Sequence, residues 1–168
     1  CTVMVVLFCA GCTSLLLEAS FGPVDVILNK NVNQKKYARI AVVPYDVSGY
    51  DGMGRDKVSG AAMSDRYTFE LMKAGYEVVE RQRLEVVIKE QELSITGLMN
   101  PKSSLKVGQI LGIQGFVFGS VSGHPNAFSV MTRLVDAETG MNIWSIVISN
   151  NIEKNAIKMK RRGHFGGG

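Results

Sequence analysis

The apolar positions of this chain change period several times, and each change marks an element. Residues 39–47 (RIAVVPYDV) form a β-branched run that stops at the turn signal Ser48-Gly49, as a buried first strand does. Over 58–73 the positions Val58, Ala61, Ala62, Phe69 and Met72 recur at helical spacing, with Gly75 just beyond as a helix stop. A short second strand follows at 76–80. Leu84, Val87, Ile88 and Gln91 then share one face of a helix over 81–93, and Glu85 and Lys89 form an i,i+4 pair on another. Ser103 or Ser104 is placed to cap a third helix that carries Leu105 and Leu111 and ends at Gly112. Strands at 116–122, 128–135 and 143–148, separated by the turn sequences 123–126 and 136–140, complete a meander. The order β-α-β-α-α-β-β-β predicts an α/β fold: one domain with a mixed sheet of about five strands and helices packed on it.

Composition adds boundaries. With 46% apolar and 20% charged residues the chain is globular in character. The periodic part, 38–149, is long enough to bury a core of its own. All three cysteines, Cys1, Cys9 and Cys12, precede it, so it can hold neither a disulfide framework nor a cysteine metal site. The apolar run 2–10 has the length of a signal-peptide core, too short to span a bilayer, and leads into Cys9-Ala10-Gly11-Cys12. Small residues before a cysteine resemble a lipobox, which makes Cys12 the candidate for lipidation. Cys9 stands where Leu or Val is usual, and no basic segment or initiator Met precedes the run, so the natural start is expected upstream. The expected organisation is a signal-peptide remnant and lipobox at 1–12, a tether at 13–37, the α/β domain at 38–149, and a basic, Gly-rich tail at 150–168. The tether contains Leu15-Leu16-Leu17 and the apolar stretch 24–28, more apolar than a free linker, so part of it is expected to dock on a neighbour. Thr13 is not the aspartate that retains lipoproteins at the inner membrane, which points by analogy to the outer membrane, periplasmic side.

The net charge of +4 would suggest nucleic acid if it were spread over the domain. Instead Lys154, Lys158, Lys160, Arg161 and Arg162 against Glu153 account for all of it, and the body before them is neutral. No clustered footprint for a nucleic-acid partner exists in the domain.

Candidate chemistry is sparse. Residues 49–54 (GYDGMG) nearly fit a phosphate loop, but Arg55 and Asp56 follow where Lys and Ser/Thr are needed, and the carboxylates of Asp51 and Asp56 oppose an anion; the stretch reads as a flexible turn. Residues 119–123 (GSVSG) lack the glycine spacing and the following helix of a nucleophile elbow. His124 beside Ser122 reads as a turn residue, and His164 lies in the tail. Glu90 and Glu92 project from different sides of a helix, while Glu77 and Glu80 have no evident carboxylate partner. Asp65 falls at the edge of the first helix's apolar stripe, suited to a subunit boundary or a buried acid. The expectation is a non-enzyme with no cofactor and no metal.

Four segments carry a family resemblance: RIAVVPYDVSG at 39–49, YEVVERQRLEVVIKEQELSITG at 76–97, KVGQILGIQGFVFGSVSG at 106–123 and RLVDAETGMNIWS at 133–145. Glu80-Arg81 leading to Leu84 and Glu90-Gln91, the Gly119-Ser120 strand, and Asp136-x-x-Thr139-Gly140 are its specific signals. Together they resemble the CsgG family, whose best-known member is the curli secretion lipoprotein. The resemblance implies an oligomeric, outer-membrane-anchored component of envelope assembly or protein secretion, with periplasmic α/β domains in a ring and other envelope or secretion proteins as partners. The long hairpins of the curli pore have no counterpart between Ser122 and Phe128 or after Ser149, so no pore is expected. The pore's constriction is not carried over either. Tyr50, Asp65, Arg81 and Glu90 stand as candidate partner contacts. Ile152, Ala156 and Met159 would fall on one face of a short basic helix suited to a partner or to anionic lipid, but with Gly166 to Gly168 following, the expected state of this segment is a frayed or truncated terminus. The alternative implication is an LpoB-like lipoprotein that activates a peptidoglycan synthase, a penicillin-binding protein, as a monomer. A nucleotide-dependent enzyme using the 49–54 loop is a third reading.

Overall fold

In the computed structural model, which describes residues 24–52 and 57–151, seven strands form one mixed sheet. They are β1 Val24–Leu28, β2 Arg39–Val42, β3 Asp46–Tyr50, β4 Glu77–Val79, β5 Gly115–His124, β6 Ala127–Asp136 and β7 Asn142–Asn151. The helices are α1 Gly60–Lys73, α2 Arg81–Glu90 and α3 Pro101–Leu111. The sheet order is β1-β7-β6-β5-β2-β4, with β3 also paired to β5. β2 runs parallel to β4 and β5, β5 to β7 form an antiparallel meander, and β1 closes the other edge antiparallel to β7.

The two-residue period of β2 explains the layering. Ile40 and Val42 enter one core and Ala41 and Val43 the other, and a strand apolar on both sides must be covered on both. α1 supplies Leu71 to the first core; α2 and α3 supply Leu84, Ile88, Val107 and Leu111 to the second. The α/β class and the mixed sheet are as expected.

Two strands exceed the expected count, for different reasons. Residues 24–28, read as tether, pair along their whole length with β7, from Val24 opposite Ile148 to Leu28 opposite Trp144. Farther along the same segment Tyr37 is buried. The stretch is thus part of the chain's own sheet, although Val26, Ile27 and Leu28 stay exposed on it. The 39–47 run is divided instead of continuous. Pro44 has no N–H to give to a ladder, and on either side Val43 N–H donates to Val117 and Tyr45 N–H to Gly60. β3 resumes pairing with β5 farther along, so Gly49 and Tyr50 are strand residues, not part of a flexible turn.

The helices also depart in detail. In α1 the buried face is Ser64 and Leu71 with half-buried Met63 and Tyr67, while Phe69 and Met72 are exposed. The stripe inferred from apolar residues alone was rotated because the true inner face includes glycine and serine. Gly60 sits so close to the Tyr45 carbonyl that a side chain there would collide with it. α3 begins at Pro101, capped by Asn100 Oδ1 accepting from Lys102 N–H at 3.0 Å, and Ser104 is buried inside it. α2 ends at Glu90, and Glu85 pairs with Arg81 at 2.7 Å instead of Lys89.

The turn between β6 and β7 is organised by Asp136, only 1% exposed. Its carboxylate accepts from Glu138 N–H at 2.8 Å, Thr139 N–H at 2.7 Å, Tyr37 Oη at 2.6 Å and Lys36 Nζ at 3.1 Å. Burial works to raise its pKa, but the Tyr37 hydroxyl, the Thr139 amide, the Lys36 ammonium and the Glu138 amide hold it well below the usual carboxylate range. Tyr37 is driven the other way, by its burial and by this carboxylate. A Tyr37→Phe substitution removes one hydrogen bond to a buried charge and is expected to cost about 1.5–3 kcal/mol in a urea melt.

Candidate functional site

Among the described residues the helices cover one face of the sheet only over its parallel half. Cross-strand register defines the remainder of that face as three rows: Phe118-Arg133-Ser145-Ile27, then Ser120-Met131-Val147-Asp25, then Ser122-Ser129-Ser149. Directly opposed residues share a face, so these side chains stand together. Met131 is 43% exposed and Ile27 71%. Apolar groups interleaved with hydroxyls give a surface that tolerates water yet gains from being covered.

A cleft of about 360 Å³ borders the face where the helical layer ends. Pro44, Asp46, Ile95 and Thr96 form one bank, Met131 and Arg133 the other. The Arg133 guanidinium lies 5.8 Å from the Phe118 ring centroid. The Asp46 carboxyl is held below its usual range by hydrogen bonds from Ser48. Beyond the face, β1 has no strand on its outer side among the described residues, and Val26, Ile27 and Leu28 are exposed along it. An open edge carrying apolar side chains is a template for pairing with another chain.

The residues singled out from sequence occupy other places. Asp65 and Arg81 do come together, Arg81 Nε donating to Asp65 Oδ1 at 3.0 Å while its Nη1 reaches Glu85. The pair ties α1 to α2 at the surface, and Asp65 is not a buried acid. Tyr50 is half-buried at the end of β3 opposite Gly123, and Glu90 is exposed in the last turn of α2. His124 closes β5 at an exposed two-residue hairpin turn. Cys12 and His164 lie outside the described residues, as do Ile152, Ala156 and Met159 and the Arg55 and Asp56 that follow the Gly49–Gly54 stretch. The uncovered face escaped the sequence reading, although 128–135 carries its signal: Ser129, Met131 and Arg133 alternate with Phe128, Val130 and Thr132. Its β1 members, Asp25 and Ile27, belonged to a stretch read as tether. Among the described residues no helix is long and apolar enough to cross a membrane.

A mixed sheet sandwiched by helices over its parallel half, with an antiparallel half open on one face among the described residues, defines a single α/β domain. The chain belongs to the CsgG family: the sequence profile of the curli production assembly/transport component CsgG matches residues 23–133. The match starts beside β1, so that strand is part of the family domain. Similar folds occur in the LpoB C-terminal domain from Salmonella enterica, at 20% identity over 68% of this chain and 83% of that one, TM-score 0.53. The LpoB C-terminal domain from Escherichia coli gives 18% over 71% and 87%, TM-score 0.53. Lipoprotein GNA1162 from Neisseria meningitidis gives 19% over 77% and 98%, TM-score 0.51. At such identities the likeness is one of fold. No curated protein matches the sequence.

Proposed function

We propose that this protein is a bacterial envelope lipoprotein, held through Cys12 at the outer membrane with its domain facing the periplasm. It serves envelope assembly or protein secretion through contacts with copies of itself and with other envelope proteins, and it catalyses no reaction. The observation that carries this reading is the uncovered sheet face with Met131 and Ile27 standing out from it, continuous with the open β1 edge. Family membership and the fold shared with a named lipoprotein support the envelope setting. We assign the face and edge to a neighbouring copy.

The test is the mass of the protein in solution by light scattering, together with a variant carrying Ile27→Asp and Met131→Lys. Both positions are exposed, so the variant is expected to melt within about 1 kcal/mol of the parent. The parent is expected to run as several copies and the variant as one. A parent of single-copy mass overturns the self-association and favours the second reading, a monomeric activator of a peptidoglycan synthase, which draws on the fold shared with the LpoB domains. Acyl groups on Cys12 are read by mass spectrometry of protein made in a Gram-negative host. Turnover of a small molecule by the pure protein would overturn the non-catalytic reading.

A further inference from the structure

We infer that β1 pairs with β1 of a second copy, antiparallel and in a single register, so that a two-fold axis at Val26 joins the two sheets into one; the inference rests on the self-association reading and specifies its geometry. The two edges of the sheet are built differently. β4, at one end, is three residues long, and its Glu77 is held by Arg39 at 3.2 Å. Short strands and charged side chains keep an edge from pairing. β1, at the other end, has neither lysine nor proline between Val24 and Leu28 and pairs with β7 without a register shift. Among the described residues no strand lies beyond it, and Val26, Ile27 and Leu28 are exposed along it.

The backbone fixes which residues can pair outward. Asn29 N–H donates to the Ile143 carbonyl, so these two are a hydrogen-bonded pair of the β1–β7 ladder. In an antiparallel ladder such pairs alternate with pairs whose N–H and C=O groups point away from each other. Ile27 and Asp25 therefore bond inward to β7, while Val24, Val26 and Leu28 turn their N–H and C=O groups to the open side. With Val26 opposite Val26 of the second copy, Val24 meets Leu28 and Leu28 meets Val24, so every outward group of the strand finds a partner. In the same register Asp25 stands opposite Ile27, which keeps the two carboxylates apart. Centring the pair on Asp25 instead opposes like charges, which is destabilising. Centring it on Ile27 sets Val24 against Lys30, which lies in the turn after β1, and leaves the groups of Val24 without a ladder partner.

The symmetry axis stands perpendicular to the sheet, so the uncovered faces of the two copies lie on the same side. The row Phe118-Arg133-Ser145-Ile27 continues into Asp25-Val147-Met131-Ser120 of the second copy. A self-complementary contact of this kind closes at two copies and leaves no β1 edge for a third.

The test uses the full chain with Cys1, Cys9 and Cys12 changed to Ser. Asp25 and Ile27 of opposite copies form a non-hydrogen-bonded pair, the antiparallel position where side chains approach most closely. The variant Asp25→Cys, Ile27→Cys is therefore expected to form a two-chain disulfide on mild oxidation. Equal positions lie on the diagonal, about 7–8 Å apart, beyond the reach of a disulfide, so Asp25→Cys alone and Ile27→Cys alone are expected to stay unlinked. Adding Met131→Lys to the double variant is expected to leave the link in place. Val26→Pro removes an outward N–H and none from the β7 ladder, so it is expected to melt like the parent and to halve the mass read by light scattering. Single variants that link, a double variant that stays unlinked while the parent runs as several copies, linked species of three or more chains, loss of the link with Met131→Lys, or an unchanged mass in Val26→Pro overturns the inference and leaves self-association standing. A parent of single-copy mass overturns the reading beneath it as well, and leaves the edge to a strand of another protein.

Discussion

Replacing Gly119 with alanine is expected to lower stability by about 3 kcal/mol, the upper part of the range for overpacking a filled core, and to lower Tm by roughly 10–15 °C. The Tyr45 ring lies directly over Gly119, and a Cβ there would overlap the ring atoms. The ring has nowhere to go. Its hydroxyl is hydrogen-bonded to Thr132 Oγ1 at 2.8 Å, Thr132 being the residue opposite Gly119 across β5 and β6. Tyr67 of α1 stacks on it with centroids 4.9 Å apart, and Gly60 packs on its carbonyl. Moving Tyr45 to admit a methyl group therefore disturbs the hydrogen bond, the stack and the helix contact together. Burial pushes the Tyr45 phenol far up, with Tyr67 adding to the effect, so it remains a neutral hydrogen-bonding group across the ordinary pH range. Trp144, the sole tryptophan and 3% exposed, sits in the same core and reports the melt by fluorescence. The double variant Tyr45→Leu, Gly119→Ala is expected to cost at least about 1 kcal/mol less than the sum of the singles. A Gly119→Ala protein that melts like the parent would remove this account of the glycine.

Asp136→Ala is expected to cost about 3–5 kcal/mol, since it strips the partner from a buried polar cluster. Lys36, half-exposed, can return to water. The Tyr37 hydroxyl and the amides of Glu138 and Thr139 lose the acceptor that the turn was built around. Thermal melts of parent and variant in parallel read the effect. The same carboxylate makes stability depend on acid. Its folded pKa lies below the unfolded one, so the unfolded chain takes up the proton first. The contribution is complete above about pH 4 and is lost as pH falls from there through the folded value. Stability of the parent is expected to decline below about pH 4, more steeply than that of Asp136→Asn, which has no carboxyl to protonate there. Parallel slopes in the two proteins would mean that other carboxylates govern the acid limb.

These two residues mark where sequence reading stopped. Asp136 was visible as a turn residue in the motif Asp136-x-x-Thr139-Gly140, and Gly119 as part of a β-strand. Neither the tyrosine over the glycine nor the one behind the aspartate was legible, because their partners lie 74 and 99 positions away and leave no local periodicity. The surface residues chosen from sequence fared similarly. Asp65 and Arg81 proved to be each other's partners across two helices, and the uncovered face drew Asp25 and Ile27 from a segment that looked like a linker.

The chain by itself determined the α/β class, the places of three helices and the meander, and the confinement of cysteine and net charge to its ends, all of which follow from local period, turn chemistry and composition. Pairing decided the rest. β1 became a strand because β7 offered an open edge, β3 because β5 extended past Pro44, and α1 turned its glycine and serine inward because backbone closeness to Tyr45 outweighed the burial of Phe69 and Met72. Which face of the sheet stays open is a property of strand order and direction, and strand order is written in contacts between distant residues.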